Sequence, residues 1–325
     1  MSDQTSLGQA AAAPGEKRAG GTDLQARRNT GVSSGPLVDL QQLPGLDRIE
    51  VDALGGVQIG ALVSIAALAE HAQILGCYSA LSAAAAELGT PQIRAVATVG
   101  GNLLQRTRCW YYRHPATSCY KKGGDTCPAR AGNHQYGVCF DLGPCVAPHP
   151  STLGLALLAY DGVVELHQGA RMSAAALFGD GSDPRADHQL RPGDLLTHIT
   201  LPPAHPGEVS AYLRLAGRTM ADWPLIEVLV RLVVDEHIRF ARIAVGGVAP
   251  IPLRLHQAEQ ALVGKVATTA LWEQVAQVAV ADACPLPKTA YKVPLLRAAL
   301  ADALERALYQ PPVPAMEAEE ALPVP

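Results

Sequence analysis

Residues 105–148 constrain the fold of this 325-residue chain more than any other segment, because they hold five of its seven cysteines. The segment is also rich in Arg, Tyr, Gly and Pro, and it has neither the alternation of a strand nor the period of a helix. Loops of this length inside a compact domain are usually functional or disordered. Five thiols in one polar loop do not suit an apolar core, so we expect a metal to organise the segment.

Four of the five cysteines have the spacing C-x9-C-x7-C-x17-C, and they are the predicted metal ligands: Cys109, Cys119, Cys127 and Cys145. Cys139 lies inside the last interval and is the spare thiol. Four thiolates suit an iron–sulfur cluster. A structural zinc site also uses four thiolates, but its cysteines usually come in close C-x2–4-C pairs, which this segment lacks. Disulfides need an oxidising compartment, for which nothing in the sequence argues. Spacing alone favours an iron–sulfur cluster and leaves zinc open.

Two glycine pairs are candidate phosphate-binding turns. Gly20-Gly21 is followed by Thr22, and Gly100-Gly101 is followed by Asn102. Glycine lets backbone amides approach an anion closely. Neither turn matches the G-x-G-x-x-G or P-loop pattern, so the sequence indicates neither a Rossmann dinucleotide fold nor a nucleoside triphosphate site. Either pair alone is an ordinary turn, but two of them beside a cysteine-rich loop favour a bound cofactor.

Composition excludes other classes of partner. The formal net charge is −4 and no basic block is present, so neither nucleic acid nor an anionic membrane surface is an expected partner. No apolar run approaches the roughly 18 residues that a membrane-spanning helix needs.

The pattern of elements predicts an α+β chain of two unequal units. Short strands and Ala-rich helices alternate up to a boundary at Pro202–Glu208, and one of the predicted helices runs over 65–74 with Ser64 as its N-cap. A β-hairpin over 225–245 and two helices, at 268–281 and 293–308, form the smaller second unit. We expect residues 1–17 to be a disordered or truncated segment and residues 311–325 to be a tail.

Four stretches in the same order resemble the FAD-binding subunit of the molybdenum hydroxylases, the xanthine dehydrogenase and carbon monoxide dehydrogenase flavoprotein family. They are Ala19–Leu24, Ala97–Leu103, His149–Ser151 and Ile243–Pro250. The resemblance implies a two-lobed FAD-binding domain, of the vanillyl-alcohol-oxidase type, over 18–204. It also implies a smaller α+β domain of the carbon monoxide dehydrogenase flavoprotein type over 208–310.

The cysteine segment is similar to one branch of this family, whose flavin subunit carries an additional [4Fe-4S] cluster. The similarity lies in Asn102–Cys109, in Cys119, in Cys127–Ala129, and in Cys145 shortly before His149-Pro150. It resembles the periplasmic aldehyde oxidoreductases most. The resemblance therefore implies a [4Fe-4S] cluster on the four predicted cysteines.

The resemblance also implies which residues contact FAD. The pyrophosphate is expected in the first turn, and the phosphates or ribityl chain at the second. Further contacts are expected beside the flavin, where Thr152 replaces the family's usual Asp and Arg214 its usual Lys. The implied contacts are Arg18, Ala19, Gly20, Gly21, Thr22, Asp23, Leu24, Thr98, Gly101, Asn102, Ser151, Thr152, Leu196 and Arg214.

The function implied is that of an electron-transfer subunit with FAD and a [4Fe-4S] cluster. Its expected partners are a molybdenum-cofactor large subunit, which oxidises the substrate, and a [2Fe-2S] small subunit, which forwards electrons. No catalytic base is expected on this chain. Two alternatives stay open: a free-standing flavoprotein oxidoreductase, and a zinc-loop scaffold that has lost flavin binding. Residues 1–18 lack the apolar core of a secretory signal, so we expect folding in the cytoplasm, with co-export alongside a partner as the route to the periplasm.

Overall fold

The computed structural model describes residues 6–218 and 222–313. The helices in these ranges are α1 (Leu7–Ala12), α2 (Thr22–Asn29), α3 (Ile65–Glu70), α4 (Ala72–Cys77), α5 (Ser79–Ala86), α6 (Pro91–Val96), α7 (Val99–Leu103), α8 (Trp110–Arg113), α9 (Pro128–Ala131), α10 (Thr152–Ala159), α11 (Ala174–Phe178), α12 (His256–Leu262), α13 (Thr269–Ala279) and α14 (Lys292–Ala307). The strands are β1 (Glu16–Arg18), β2 (Leu37–Asp39), β3 (Ile49–Val51), β4 (Val57–Gly60), β5 (Val163–Leu166), β6 (Arg171–Ser173), β7 (Leu196–Leu201), β8 (Glu208–Ala216), β9 (Pro224–Val234), β10 (Ile238–Gly246) and β11 (Leu253–Arg254).

Three sheets organise these elements, and the predicted mixture of helices and sheets is confirmed. A parallel pair, β1-β2, is followed by a five-stranded antiparallel sheet of order β3-β4-β7-β5-β6. A four-stranded antiparallel sheet of order β11-β10-β9-β8 comes last. The five-stranded sheet ends at Leu201 and the four-stranded sheet begins at Glu208, on either side of the predicted boundary.

The buried helix α10 packs between helices of the first unit and the four-stranded sheet of the second. Its sequence TLGLALLA is apolar on all sides apart from its first residue, and all eight residues are buried. A helix that is apolar all round has to be enclosed by protein on every side. It contacts α5 and α7 on one side and β9 and β10 on the other. Its N-terminus at Ser151 is therefore held rigidly, and this N-terminus lies at the cavity described below.

Helices α12, α13 and α14 cover the four-stranded sheet. On α14, Leu296, Leu300 and Leu304 are fully buried at four-residue spacing, and the helix packs on β8 and β9. Burial of such a stripe removes apolar surface from water and is what stabilises an amphipathic helix in a protein.

Several expectations about local structure are wrong. Residues 6–17 are not disordered, because they form α1 and the start of β1, and the buried Ala10 and Ala11 of α1 pack with Val38 of β2. The predicted helix over 65–74 is interrupted at His71, whose backbone is extended and separates α3 from α4.

Residues 105–148 do contain short helices, although the sequence shows no helical period there. They contain α8, α9 and a 3-10 turn at Tyr120–Lys122. Each of these is about one turn long, which is too short for a hydrophobic period to be visible in the sequence. Near its end the segment joins the second unit, because the N–H groups of Cys139 and Phe140 both donate to the carbonyl of Val248. In the described residues, no helix combines the length and apolarity needed to cross a membrane.

Candidate functional site

A cavity of about 530 Å³ lies where the two glycine turns meet. This volume is within the range of cofactor pockets. Most of the implied FAD contacts line it: Ala19, Gly20, Gly21, Thr22, Asp23, Leu24, Thr98, Gly101, Asn102, Thr152, Leu196 and Arg214. Two do not. Arg18 pairs with Asp39 at 3.0 Å and donates to Gln41, and Ser151 lies behind the wall of the cavity.

The first glycine turn needs glycine at both positions. A Cβ on Gly20 would lie 1.8 Å from the carbonyl oxygen of Val96, so this turn packs directly on the backbone that leads into the second turn. Gly21 has φ +74°, in the left-handed region that glycine adopts without strain. Helix α2 begins at Thr22 and has no side-chain cap. Its first amides are therefore open to an anion such as a phosphate.

The second glycine turn is a short helix, α7, and not the simple turn that the sequence suggested. The hydroxyl of Thr98 caps this helix by accepting from the N–H of Gly101 at 3.1 Å. Gly100 packs so closely on Ala61 that its Cβ would lie 2.9 Å from the Cβ of that residue. The two turns thus form one continuous wall of backbone, which suits a phosphate-bearing cofactor.

Ser151 positions Asn102 in this wall. The Ser151 hydroxyl donates to Oδ1 of Asn102 at 2.8 Å and accepts from the N–H of Gly154 at 2.9 Å, as the N-cap of α10. Asn102 Oδ1 also accepts from the N–H of Leu153 at 3.2 Å. With its oxygen occupied, Asn102 has its amide nitrogen available to the cavity.

A buried carboxylate, Glu227, lies behind Thr152. Glu227 of β9 accepts hydrogen bonds from the hydroxyls of Thr152, at 2.5 Å, and Tyr212, at 2.7 Å. Burial raises the pKa of Glu227, although these two hydrogen bonds oppose the shift. A lone Glu in the apolar run PLIEVLVRLVV was the only sequence signal for this residue.

Two arginines of the cavity wall, Arg106 and Arg108, are not among the FAD contacts that the resemblance implies. Arg106 and Arg108 line the cavity, and the Arg108 guanidinium lies 4.3 Å from the centre of the Trp223 ring. Burial lowers the pKa of Arg108 to about 10, although the neighbouring carboxylate of Asp23 counteracts this shift. Burial alone would raise the pKa of Asp23, but Arg108 and Arg113 hold it below its usual value.

The four predicted metal ligands, Cys109, Cys119, Cys127 and Cys145, line a second and much smaller cavity. The free space between the side chains is about 20 Å³, so a cluster would require the thiols to rotate outward. Cys139 is not part of this cavity. It is fully buried in the apolar core of the second unit.

Backbone amides surround the thiols of this cavity. Cys109 precedes α8; burial raises the pKa of its thiol, and hydrogen bonds from the N–H groups of Tyr111 and Tyr112 oppose this rise. Cys127 precedes α9, and the adjacent thiol of Cys145, together with backbone N–H groups, lowers the pKa of Cys127 to about 5. The same contact and burial raise the pKa of Cys145. Amides directed at sulfur stabilise thiolates, the form that ligates iron.

Within residues 6–218 and 222–313, no group of three or more His, Cys, Asp or Glu side chains is placed to hold a metal ion. Loading of this site with zinc or with an iron–sulfur cluster therefore requires the thiols to move.

A short extended segment separates the two cavities. Arg106 and Arg108 line the larger cavity, whereas Thr107 and Cys109 line the cysteine cavity. Alternate side chains of an extended backbone point to opposite sides. One stretch of four residues is therefore the wall between the two sites.

Comparison with known proteins agrees with this architecture. Residues 12–204 match the family described as FAD binding domain in molybdopterin dehydrogenase, and residues 211–310 match the CO dehydrogenase flavoprotein C-terminal domain. The chain is 33% identical to the aldehyde oxidoreductase FAD-binding subunit PaoB of Escherichia coli (strain K12), over 91% of this chain and 93% of that protein. It is 28% identical to the nicotinate dehydrogenase FAD-subunit of Eubacterium barkeri, over 76% and 71%.

Solved structures share the fold. Carbon monoxide dehydrogenase from Hydrogenophaga pseudoflava matches with a TM-score of 0.74 at 21% identity, covering 94% of this chain and 96% of that one. Quinoline 2-oxidoreductase from Pseudomonas putida 86 matches with a TM-score of 0.66 at 18% identity, covering 90% of each chain. The resemblance inferred from the glycine turns is thereby confirmed, and the chain belongs to the family of FAD-binding oxidoreductase subunits of the molybdenum hydroxylases.

Proposed function

We propose that this chain is the FAD- and [4Fe-4S]-binding electron-transfer subunit of a molybdenum-containing aldehyde oxidoreductase or xanthine dehydrogenase-type complex. Substrate is oxidised on a separate molybdenum-cofactor large subunit. A [2Fe-2S] small subunit forwards the electrons to this chain, which passes them to an external acceptor. Similarity to a named aldehyde oxidoreductase FAD-binding subunit over nine-tenths of both chains supports this complex over the other members of the family.

The observation that carries the proposal is the shared wall between the two cavities. The predicted cluster ligand Cys109 and the flavin-cavity residue Arg108 are consecutive, and their side chains line opposite cavities. Four thiols line one cavity, and backbone amides donate to their sulfurs. A cavity large enough for a flavin lies beside them. A protein that carries electrons between two centres needs these parts.

The protein's own residues bind and orient the cofactors. The open amides of α2 and the capped turn of α7 hold phosphate, Asn102 presents its amide nitrogen, and Leu196 supplies an apolar surface. Bound FAD supplies the conversion between single-electron and paired-electron transfer. Charged groups beside each site tune its reduction potential, and Arg106 and Arg108 are two such cations in the wall between the cavities.

The two alternatives make different predictions. A free-standing flavoprotein oxidoreductase would turn over a substrate as an isolated chain, with no molybdenum partner. A zinc-loop scaffold would be colourless and would contain zinc. The proposed subunit is yellow-brown, contains FAD and about four irons per chain, and co-purifies with two partner chains.

Substitution of single cysteines tests the ligand set. Cys145→Ser should lose or degrade the cluster, because it removes one of the four thiols of the cavity. Cys139→Ser is the matched control and should leave iron content unchanged, because Cys139 lies in the apolar core of the second unit. Iron per chain and the visible spectrum are the measurements. Loss of iron in the Cys139 variant, with full iron in the Cys145 variant, would contradict the assignment.

A further inference from the structure

Asp23 lies at the start of the phosphate-facing helix α2, but its carboxylate is bound by arginines of the cysteine segment. Oδ1 accepts from Arg113 at 2.6 Å and also from Arg108. Oδ2 accepts from the backbone N–H of Arg106 at 3.1 Å and from Arg27 of the same helix at 3.2 Å. Only 13% of the Asp23 side chain is exposed. These contacts attach the first turn of α2 to residues 106–113.

The partners of Asp23 hold the backbone around Cys109 in place. The Arg113 guanidinium also donates to the carbonyls of Thr107, at 2.8 Å, and Arg106, at 2.9 Å. The N–H of Arg113 donates to the carbonyl of Cys109 at 2.9 Å. A shift of Asp23 therefore moves Cys109, which would ligate the cluster. It also moves the wall that the two cavities share.

Positive charge exceeds negative charge at this junction. Arg27, Arg108 and Arg113 all pair with the one carboxylate of Asp23, and their side chains are between 12% and 21% exposed. Glu16 balances only Arg27, at 2.6 Å. Partly buried charges of one sign repel one another unless an opposite charge is near. A pyrophosphate at the open amides of α2 would supply that charge.

We propose that Asp23 is a positioning residue that couples the two cofactor sites, so that FAD and the iron–sulfur cluster each strengthen the binding of the other. The inference rests on the proposed function, since it requires a cluster at the four cysteines. FAD phosphate fixes the position of α2 and offsets the surplus positive charge. Because Asp23 binds residues 106–113, these residues are fixed together with α2, and Cys109 is held in place. Thermodynamic coupling is reciprocal, so cluster binding tightens FAD by the same factor.

A double-mutant cycle on the full chain in its complex tests this coupling. FAD is removed reversibly and then titrated back into four proteins, and flavin fluorescence reports the Kd. The four proteins are the unmodified chain, Cys109→Ser, Asp23→Asn and the double variant. We expect Cys109→Ser to weaken FAD binding on the order of tenfold when Asp23 is present, within the range known for linked sites. When Asp23 is Asn, we expect Cys109→Ser to change the FAD Kd by less than about twofold.

Asp161→Asn is the matched control, because Asp161 also pairs with two arginines, Arg242 at 3.1 Å and Arg254 at 2.6 Å, but lines neither cavity. In the Asp161→Asn background, Cys109→Ser should still raise the FAD Kd about tenfold. Arg113→Lys replaces Asp23→Asn if the latter does not fold, because lysine keeps the charge but cannot make the several directed contacts of the guanidinium.

A second readout separates coupling from general stability. The reduction potential of the cluster, measured with and without FAD, should shift in the unmodified chain and stay constant in Asp23→Asn. Equal effects of Cys109→Ser in both backgrounds, with a normal iron content in the unmodified chain, would refute the coupling alone. An unmodified chain without iron would refute the coupling and the cluster proposal together.

Discussion

Replacing Ser151 with Ala removes two hydrogen bonds at the point where helix α10 meets the flavin cavity. The hydroxyl accepts from the N–H of Gly154 at 2.9 Å and donates to Asn102 at 2.8 Å, and the residue is only 2% exposed. Loss of a helix N-cap costs about 1 kcal/mol. Loss of the bond to Asn102 costs about another 0.5–1.5 kcal/mol. We therefore expect the variant to be about 1.5–2.5 kcal/mol less stable.

FAD binding should weaken as well as stability. Asn102 lines the cavity. When Ser151 is replaced by Ala, the N–H of Leu153 is the one described hydrogen-bond donor left to Asn102 Oδ1. Its side chain then becomes free to rotate, and we expect the FAD Kd to rise on the order of tenfold, or about 1.4 kcal/mol. Flavin fluorescence titration gives the Kd, and urea unfolding of the apoprotein gives the stability.

Ser173→Ala provides the matched control for this prediction. Ser173 caps α11 by accepting from the N–H of Ala176 at 3.1 Å, but it is exposed and lies outside the flavin cavity. The Ser173→Ala variant should be about 1 kcal/mol less stable and should bind FAD with an unchanged Kd. If both variants bind FAD as tightly as the unmodified chain, Ser151 does not position Asn102 for the cofactor and the reasoning is wrong.

Two further predictions concern buried ionisable groups. Burial lowers the pKa of His149 to about 4, below its ordinary 6.5, so the neutral ring contributes stability above pH 6.5 that is lost as the pH falls toward 4. Urea unfolding should show this loss, about 2 kcal/mol at pH 5, and His149→Gln should reduce it; equal pH dependence of the two proteins would contradict the assignment. Arg231 makes a bidentate pair with Glu208, with both distances 2.7 Å, and Arg231→Ala should cost about 3–5 kcal/mol because it leaves a buried carboxylate unpaired. Combining Arg231→Met with Glu208→Leu should restore much of that loss in thermal unfolding, and a double variant no more stable than the single one would refute this explanation.

Features with a local physical cause could be predicted from the sequence. The β-hairpin of β9 and β10 follows from two apolar runs around a short polar turn, and the structure has it over Pro224–Val234 and Ile238–Gly246. The predicted N-cap at Ser64 exists, because its hydroxyl accepts from the N–H of Ala67.

Features that depend on distant partners could not be predicted in this way. Helix α7 forms over Val99–Leu103 although it contains two consecutive glycines, which are poor helix formers. Its position is fixed by packing against Ala61 and by the cap from Thr98. Glu227 gave no usable signal, because its hydrogen-bond donors come from α10 and β8 and not from its own strand.

The sequence by itself determined the family, the two glycine turns and the four cysteines that line one cavity, because these reside in the type and spacing of neighbouring residues. Only the tertiary structure decided what Asp23 contacts. The family resemblance implies that Asp23 contacts FAD, and the structure adds that its carboxylate pairs with Arg108 and Arg113, which lie 85 and 90 positions away. The partner of a charged side chain depends on which segments the fold brings together, and neighbouring residues carry no information about that pairing.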